Sequence, residues 1–293
     1  MTKTHSCSAC KNTEHAVIKK CGTSTWYLCK TCSFLHCHPL SNELFAKIAS
    51  KFNNEWGFAG NDKNLQFEKA YKTRVQNQKK AWELVTSKVD IMPSSKVLDF
   101  GSADGVMLEF FSQININAVG LEPSGPNVSF SKSRGHTVIN GYLEEDTFPS
   151  NTFNVIFTQD SLHFLSNIGK TFQIFRNILH EKGIIVCRDK QYHFSGLNPL
   201  AHLTEYGRVC YLSKTFIYNI LSIYGFKVEY YRNRLGDFMV IARKVHSPIP
   251  LAGSHLKAKV ILSVLPFTDA ILFYFRQLGL FFTKKIKSLF GKN

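Results

Sequence analysis

Six of the eight cysteines fall within the first 37 residues, at Cys7, Cys10, Cys21, Cys29, Cys32 and Cys37, while Cys187 and Cys210 lie far downstream. Cys7 and Cys10 form one Cys-x2-Cys pair, Cys29 and Cys32 form a second, and 18 residues separate them. Turns of this kind each aim two thiolates at one tetrahedral centre, which is the arrangement of a four-cysteine zinc site. A closed set of four thiolates leaves no position for a substrate, so the role expected of it is structural. Cys21, His36, Cys37 and His38 stand close by and could replace one ligand. A second constellation lies in KVLDFGSADGVMLE, Lys96 to Glu109, where Asp99 precedes Gly101 and Gly105. Glycines at such a turn let a ligand approach the backbone, and the helix that follows presents N–H groups to it. Glu122 closes the next apolar run, where a carboxylate can accept hydrogen bonds from both hydroxyls of a ribose.

These residues need strands to hold them. Val97, Leu98 and Phe100 read as a strand that breaks at Gly101 and gives way to helical spacing at Val106, Met107, Phe110 and Phe111. From Lys96 onward strands and helices alternate, which predicts an α/β fold with a Rossmann-like, doubly wound, seven-stranded sheet. The strands are expected at 96–101, 117–122, 137–140, 153–158, 183–188, 226–233 and 237–243. Only Arg234-Leu235-Gly236 separates the last two, so one of them must run antiparallel to its neighbour. Upstream, Val17, Ile18, Trp26 and Tyr27 read as a small hairpin between the cysteine pairs. Residues 42–90 carry mostly helical patterns, broken by the Gly57 to Asp62 loop, with Trp56 and Tyr71 as aromatic candidates for the pocket wall. The resulting divisions are a zinc ribbon (1–40), a helical connector covering the pocket (41–92), the main domain (93–246) and a C-terminal tail (247–293).

A nicotinamide dinucleotide enzyme would show GxGxxG, with its middle glycine making room for a pyrophosphate. Here that position is Ala103, and an acid precedes the first glycine. A carboxylate at Asp99 suits a cationic amino-acid end better than two phosphates. The stretch resembles the cofactor loop of class I S-adenosylmethionine-dependent methyltransferases, from whose middle glycine Ala103 departs. Residues 1 to about 245 are similar, more narrowly, to zinc-ribbon-bearing methyltransferases of bacterial sugar and cell-surface biosynthesis, including deoxysugar C-methyltransferases. The ribbon followed by Pro39-Leu40-Ser41, GLEPS at 120–124, TFNVIFTQDSLHFL at 152–165, ILHEKGIIVCRD at 178–189 and the segment from His202 to Tyr230 carry that likeness. Ala201, His163, Phe164 and Asn154 depart from the residues usual in the family, and the further C-terminal domain of the sugar enzymes has no counterpart here.

The resemblance implies a bound S-adenosylmethionine. Asp99, Gly101, Ser102 and Gly105 would meet its methionine end, Glu122 its ribose, Pro123 and Leu143 its adenine, with Gln159 and Asp160 beside the sulfonium. Methyl transfer is an in-line displacement at an activated carbon, so alignment is the main task and a base is needed only for a protonated acceptor. His202 is the first candidate for that base, followed by His163 and Tyr206, with His193 more remote.

The formal charge is +15, split as +7 over residues 1–95, +2 over 96–250 and +6 over 251–293. Basic ends around a nearly neutral middle fit anionic lipid or a phosphorylated small substrate as well as nucleic acid. No apolar segment follows Met1, so a reducing, cytoplasmic compartment is expected, with thiols serving as metal ligands. Between Leu256 and Phe290, aromatic bulk is interrupted by Pro266, Asp269 and Arg276 and followed by Lys284, Lys285 and Lys287. This is the pattern of a helix lying in a membrane interface, peripheral to the cytoplasmic leaflet, or of one packed on the main domain or at a dimer interface, and not of a spanning one. The reading that results is methyl transfer to a sugar, glycan precursor or lipid-linked intermediate. The alternatives are an RNA methyltransferase that uses the ribbon and basic ends, and a non-catalytic binding module that keeps the fold.

Overall fold

The computed structural model describes residues 5–21, 23–40, 50, 65–190, 207–234, 237–246 and 251. His193, His202, Tyr206, Trp56 and the tail beyond 251 lie outside these residues. Among the described residues no helix is long and apolar enough to cross a membrane.

Among the described residues eleven strands form two sheets. The small sheet takes β1 (His15–Cys21), β2 (Ser24–Cys29), β3 (Leu35–His38) and β9 (Cys210–Tyr211), in the order β1-β2-β3-β9. The large sheet takes β4 (Lys96–Phe100), β5 (Asn117–Glu122), β6 (Val138–Asn140), β7 (Phe153–Gln159), β8 (Leu179–Lys190), β10 (Phe226–Arg234) and β11 (Asp237–Lys244). Its order is β10-β11-β8-β7-β4-β5-β6. The pairs β4–β5, β4–β7, β5–β6 and β7–β8 are parallel, and β11 is antiparallel to both β8 and β10. The seven expected strands are therefore present, and the hairpin at the C-terminal edge supplies the antiparallel one.

Alternation along the central strands explains why both faces are covered. Val97, Val155, Ile184, Val186, Met239 and Ile241 join one core with Tyr71, Val75, Trp82 and Phe111. Their neighbours Leu98, Ile156, Ile185, Cys187, Val240 and Ala242 join the other, with Phe172, Phe175, Phe216 and Ile220. The helices that supply these partners are α1 (Leu65–Thr86), α2 (Val106–Gln113), α4 (Ile168–Ile178) and α5 (Lys214–Ile223), while α3 (Gly125–Ser133) follows β5. On α1, Tyr71, Val75, Gln78, Trp82 and Val85 are buried at helical spacing. That stripe lays α1 along the sheet and brings its N-terminal half to the tips of the central strands.

The ribbon is built into this core. Its fourth strand comes from residues 210–211, and Cys7, Cys29, Cys32 and Phe34 share a cluster with Phe172, Phe216 and Ile220. Phe34 stacks on Phe216 at 4.3 Å, Asn219 donates to the Cys32 carbonyl at 3.1 Å, and the Tyr224 hydroxyl donates to the Ala9 carbonyl at 2.9 Å.

Candidate functional site

Strand order reverses between β4 and β7, and ligands of doubly wound sheets bind outside the carboxyl ends of strands at such a point. Asp99, Gly101, Glu122, Gln159 and Asp160 all stand there. Gly101 has φ +73° and Gly105 φ +78°, the left-handed region that favours glycine. A Cβ on Gly101 would collide with the Ser161 hydroxyl, and one on Gly105 with that of Ser131 on α3. Gly101 is thus fixed by a neighbour at the β7 tip, and Gly105 by the close packing of two helices.

Glu122 is 2% exposed and ties the loop to the next turn. It accepts the Ala103 N–H at 2.9 Å on one oxygen and the Ser124 N–H at 2.9 Å on the other. Burial raises its pKa, against the hydrogen bonds from Ser124, Ala103 and Asn127. Each carboxylate oxygen has a second acceptor direction, so two hydroxyls of a diol can still be accommodated. Asp104, 1% exposed, is held by Arg74 of α1 through two bonds at 2.6 and 2.9 Å. The Tyr71 hydroxyl donates to the Asp104 carbonyl at 3.4 Å. The connector helix thereby fastens the loop from outside the sheet. Ser102 turns beneath it, with its hydroxyl against Gly120 of β5.

Asp99 has no such arrangement. It is 3% exposed, and its Oδ2 is buried without a hydrogen-bond partner. Burial pushes its pKa up to about 8, and the Glu122 and Asp104 carboxylates add to the rise. An aspartate protonated more readily in the native chain than when unfolded stabilises the fold at low pH. That contribution declines as pH climbs from about 4 towards 8. The thermal midpoint of the ligand-free protein is therefore expected to fall between pH 5 and pH 8, and Asp99→Asn should flatten that slope. A midpoint that rises over the interval by the same amount in both proteins would contradict the assignment.

Across the reversal, Asp160 has φ +52°, in the left-handed region that aspartate enters more readily than most side chains, and its N–H donates to the Arg188 carbonyl at 2.9 Å. The Arg188 guanidinium reaches Gln159 at 3.3 Å and Gln78 of α1 at 3.4 Å. His163 lies in a short 3-10 turn, Leu162–Phe164, 2% exposed, with Nδ1 at 2.7 Å from Asp189 Oδ1. The His163 carbonyl accepts the Val209 N–H at 2.9 Å, which brings Arg208 to the same corner. Burial lowers the Arg208 pKa to about 10, against the attraction of Asp189 and Asp160. Pro123 and Leu143 lie partly buried beyond β5 and β6, and Asn140 bridges the Glu122 and Pro123 carbonyls at 3.0 and 3.2 Å. The structure thus gathers Asp99, Gly101, Glu122, Gln159, Asp160 and His163 around one reversal. Sequence reasoning passed over Asp189, Arg188, Arg208 and Arg74.

A family model described as "Methyltransferase domain" matches residues 63–231. The chain belongs to this family. Its match spans the glycine loop, Glu122 and the β7 tip, and the fold is that of class I S-adenosylmethionine-dependent methyltransferases. The methyltransferase superposes on geranyl diphosphate C-methyltransferase from Streptomyces coelicolor with a TM-score of 0.51 and 12% identity, covering 71% of this chain and 100% of that one. A chain of the Haloferax volcanii complex between the Trm112 methyltransferase activator and a methyltransferase gives 0.52 and 11%, covering 60% and 94%. An S-adenosylmethionine-dependent methyltransferase from Mesorhizobium loti gives 0.49 and 15%, covering 56% and 97%. At these identities the likeness is one of fold, and no curated protein matches the chain significantly.

The methyltransferase also carries a group able to hold a metal ion. Cys7, Cys10, Cys29 and Cys32 place their sulfurs within 4.8 Å of one another, with Cys7–Cys32 at 3.7 Å and Cys10–Cys29 at 3.5 Å. Two equivalent turns build it. Cys7 N–H donates to Asn12 and Lys11 N–H to Cys7, just as Cys29 N–H donates to Phe34 and Ser33 N–H to Cys29. The residue after each second cysteine, Lys11 and Ser33, has φ +65° and +63°. Cys37, by contrast, packs with Trp26, Leu28 and Leu35 on the other side of the ribbon, and His36 and His38 also stay outside the four-sulfur group.

Proposed function

We propose that this methyltransferase holds S-adenosylmethionine at the β4 and β5 tips and passes its methyl group to a small acceptor, a sugar, glycan precursor or lipid-linked intermediate. The observation that carries the donor assignment is the unpartnered Oδ2 of Asp99. Three buried acids meet at the loop: Arg74 neutralises Asp104, two backbone N–H groups satisfy Glu122, and Asp99 is left to a cation. The amino-acid end of the donor supplies one. Glu122 would take the ribose hydroxyls, with Pro123 and Leu143 along the adenine and Gln159 and Asp160 bordering the sulfonium. The donor brings an already activated methyl group, so the chain's own task is to orient the acceptor and accept its proton.

For that proton the His163–Asp189 pair is the described candidate. The Nδ1–H donates a hydrogen bond to the Asp189 carboxylate, a tautomer that puts the lone pair on Nε2, which is the way an orienting carboxylate prepares an imidazole base. A sugar or glycan acceptor is supported by the motif likeness, and by the near-neutral charge of residues 96–250, unlike the basic stripe that a polynucleotide requires. The structural neighbour named for geranyl diphosphate is consistent with an acceptor of that size. In the ribbon we assign zinc to the four cysteines. A tetrahedral Zn–S4 centre separates its sulfurs by about 3.8 Å, close to the 3.5 and 3.7 Å found.

The test is a methylation assay over nucleoside-diphosphate sugars, lipid-linked glycans and RNA. A sugar-type acceptor should turn over, and His163→Asn should lower turnover about 100-fold while donor affinity stays within about threefold. Asp189→Asn should act in the same direction and shift the pH–rate profile. Preference for RNA would refute the acceptor reading, and an unchanged rate in His163→Asn would refute the base.

A further inference from the structure

We propose that His5, His15 and His36 form a second metal site, distinct from the four cysteines, which takes a divalent transition-metal cation through three imidazoles. One ligand atom from each of the three lies within 4.8 Å of the other two. Two come from strands of the small sheet, His15 at the start of β1 and His36 within β3, and His5 comes from the segment preceding the first cysteine turn. The opposite face of that sheet is the apolar cluster of Trp26, Leu28, Leu35 and Cys37. Alternation along the strand therefore commits His36 to the face away from that cluster, beside Tyr27.

The hydrogen bonds behind these rings fix which nitrogen is offered. His15 Nδ1 lies 3.0 Å from the Thr13 carbonyl, and His36 Nδ1 lies 3.4 Å from the Phe34 carbonyl. A carbonyl only accepts, so both Nδ1 atoms carry the proton and both Nε2 atoms carry the lone pair. Metal-binding histidines are characteristically held by such a backbone carbonyl on the remote nitrogen. His15 Nε2 is buried and makes no hydrogen bond. His36 is 5% exposed, and its Nε2 lies 3.0 Å from His5 Nε2. In the metal-free chain His5 must donate there; a cation replaces that proton, with His5 moving its own to Nδ1.

Metal–nitrogen bonds of about 2.05 Å in a tetrahedral site would set the nitrogens about 3.3 Å apart. The His5–His36 pair is already near that separation, while the His15 ring stacks on His5 at 4.4 Å and 14° and must turn for its in-plane lone pair to converge on the same ion. His38 stacks on His5 at 4.2 Å and Phe34 on His36 at 4.9 Å, so aromatic walls back two of the three ligands. Imidazole ligands without thiolates suit Zn²⁺, Co²⁺, Ni²⁺ or Cu²⁺. Three protein ligands leave a fourth position to water or an outside ligand, unlike the closed cysteine group.

Protein brought to one zinc equivalent is titrated with Co²⁺ alone and followed by calorimetry and visible absorption. One further equivalent should bind with d–d bands and without thiolate-to-cobalt charge transfer. His5→Ala and His15→Ala should each weaken it by more than about 100-fold while retaining the zinc equivalent. No further equivalent, one bearing thiolate charge-transfer bands, or one that both variants retain would overturn the proposal. Donor binding, measured on the same samples, reports on the methyltransferase assignment separately, because neither histidine belongs to the loop at the β4 tip.

Discussion

Glu122→Ala is expected to weaken S-adenosylmethionine binding by about a thousandfold. Hydrogen bonds to a charged group are worth about 1.5–3 kcal/mol each, and two are lost with the ribose hydroxyls. The same substitution also removes the acceptor for the Ala103 and Ser124 N–H groups, so the loop that shapes the pocket loses its tie to β5. Glu122→Gln separates the two contributions. It keeps the size and one acceptor oxygen but points an amide donor at a backbone donor, so it should recover only part of the affinity. Calorimetric titration measures both, and a dissociation constant for Glu122→Ala within threefold of the parent would remove Glu122 from the site.

Removing the zinc proposed for the four cysteines should do more than loosen the N-terminus. Structural zinc contributes about 10–16 kcal/mol of apparent binding free energy in small peptide sites, much of it spent on ordering the chain. Here Cys7, Cys29 and Cys32 are 0% exposed within the core that holds Phe172, Phe216 and Ile220. Ser8, Ala9 and Cys32 offer their carbonyls to Gly169, Tyr224 and Asn219. Loss of the ribbon therefore uncovers α4, α5 and the strand that leads to His163. A chelator under reducing conditions, or Cys29→Ser, is expected to lower the thermal midpoint of the whole protein by more than 10 °C, equivalent to a few kcal/mol. A methyltransferase that melts at the same temperature after complete removal of the metal would show the ribbon to be energetically separate.

Sequence alone located the strands well because their signal is local. Val97-Leu98 and Val155-Ile156 feed two cores from adjacent positions, and an apolar run closed by Gly101 or Gln159 ends where the chain must turn. The start of β8 was less legible. Leu179 already pairs with Phe153, and an irregularity in register then carries the strand on to Ile184, so the strand begins ahead of the start expected at 183. A two-residue strand such as Cys210–Tyr211 has no periodicity to detect, although it ties the ribbon to the main domain.

The site divides along the same line. Asp99, Gly101 and Glu122 were readable because the backbone geometry of one β-turn-α unit imposes their spacing. Asp189 and Arg208 were not, since their partners are brought in by different elements; the one available sign was an acid ending the fifth strand, in IIVCRD. Arg74 looked like one more charge on a helix until α1 was laid against the loop. His5, His15 and His36 share no motif, and only the pairing of β1, β2 and β3 collects them.

The central claim is that a cationic nucleoside sits between Asp99 and Glu122. Calorimetric titration of the metal-replete protein with S-adenosylmethionine tests it most directly. Deprotonation of Asp99 favours the cation, so the predicted result is saturable one-to-one binding that tightens from pH 6 to pH 8. The tightening should vanish in Asp99→Asn, and the affinity should fall by about a thousandfold in Glu122→Ala. Absence of heat at any pH, or equal affinity in the parent and in Glu122→Ala, would contradict the account.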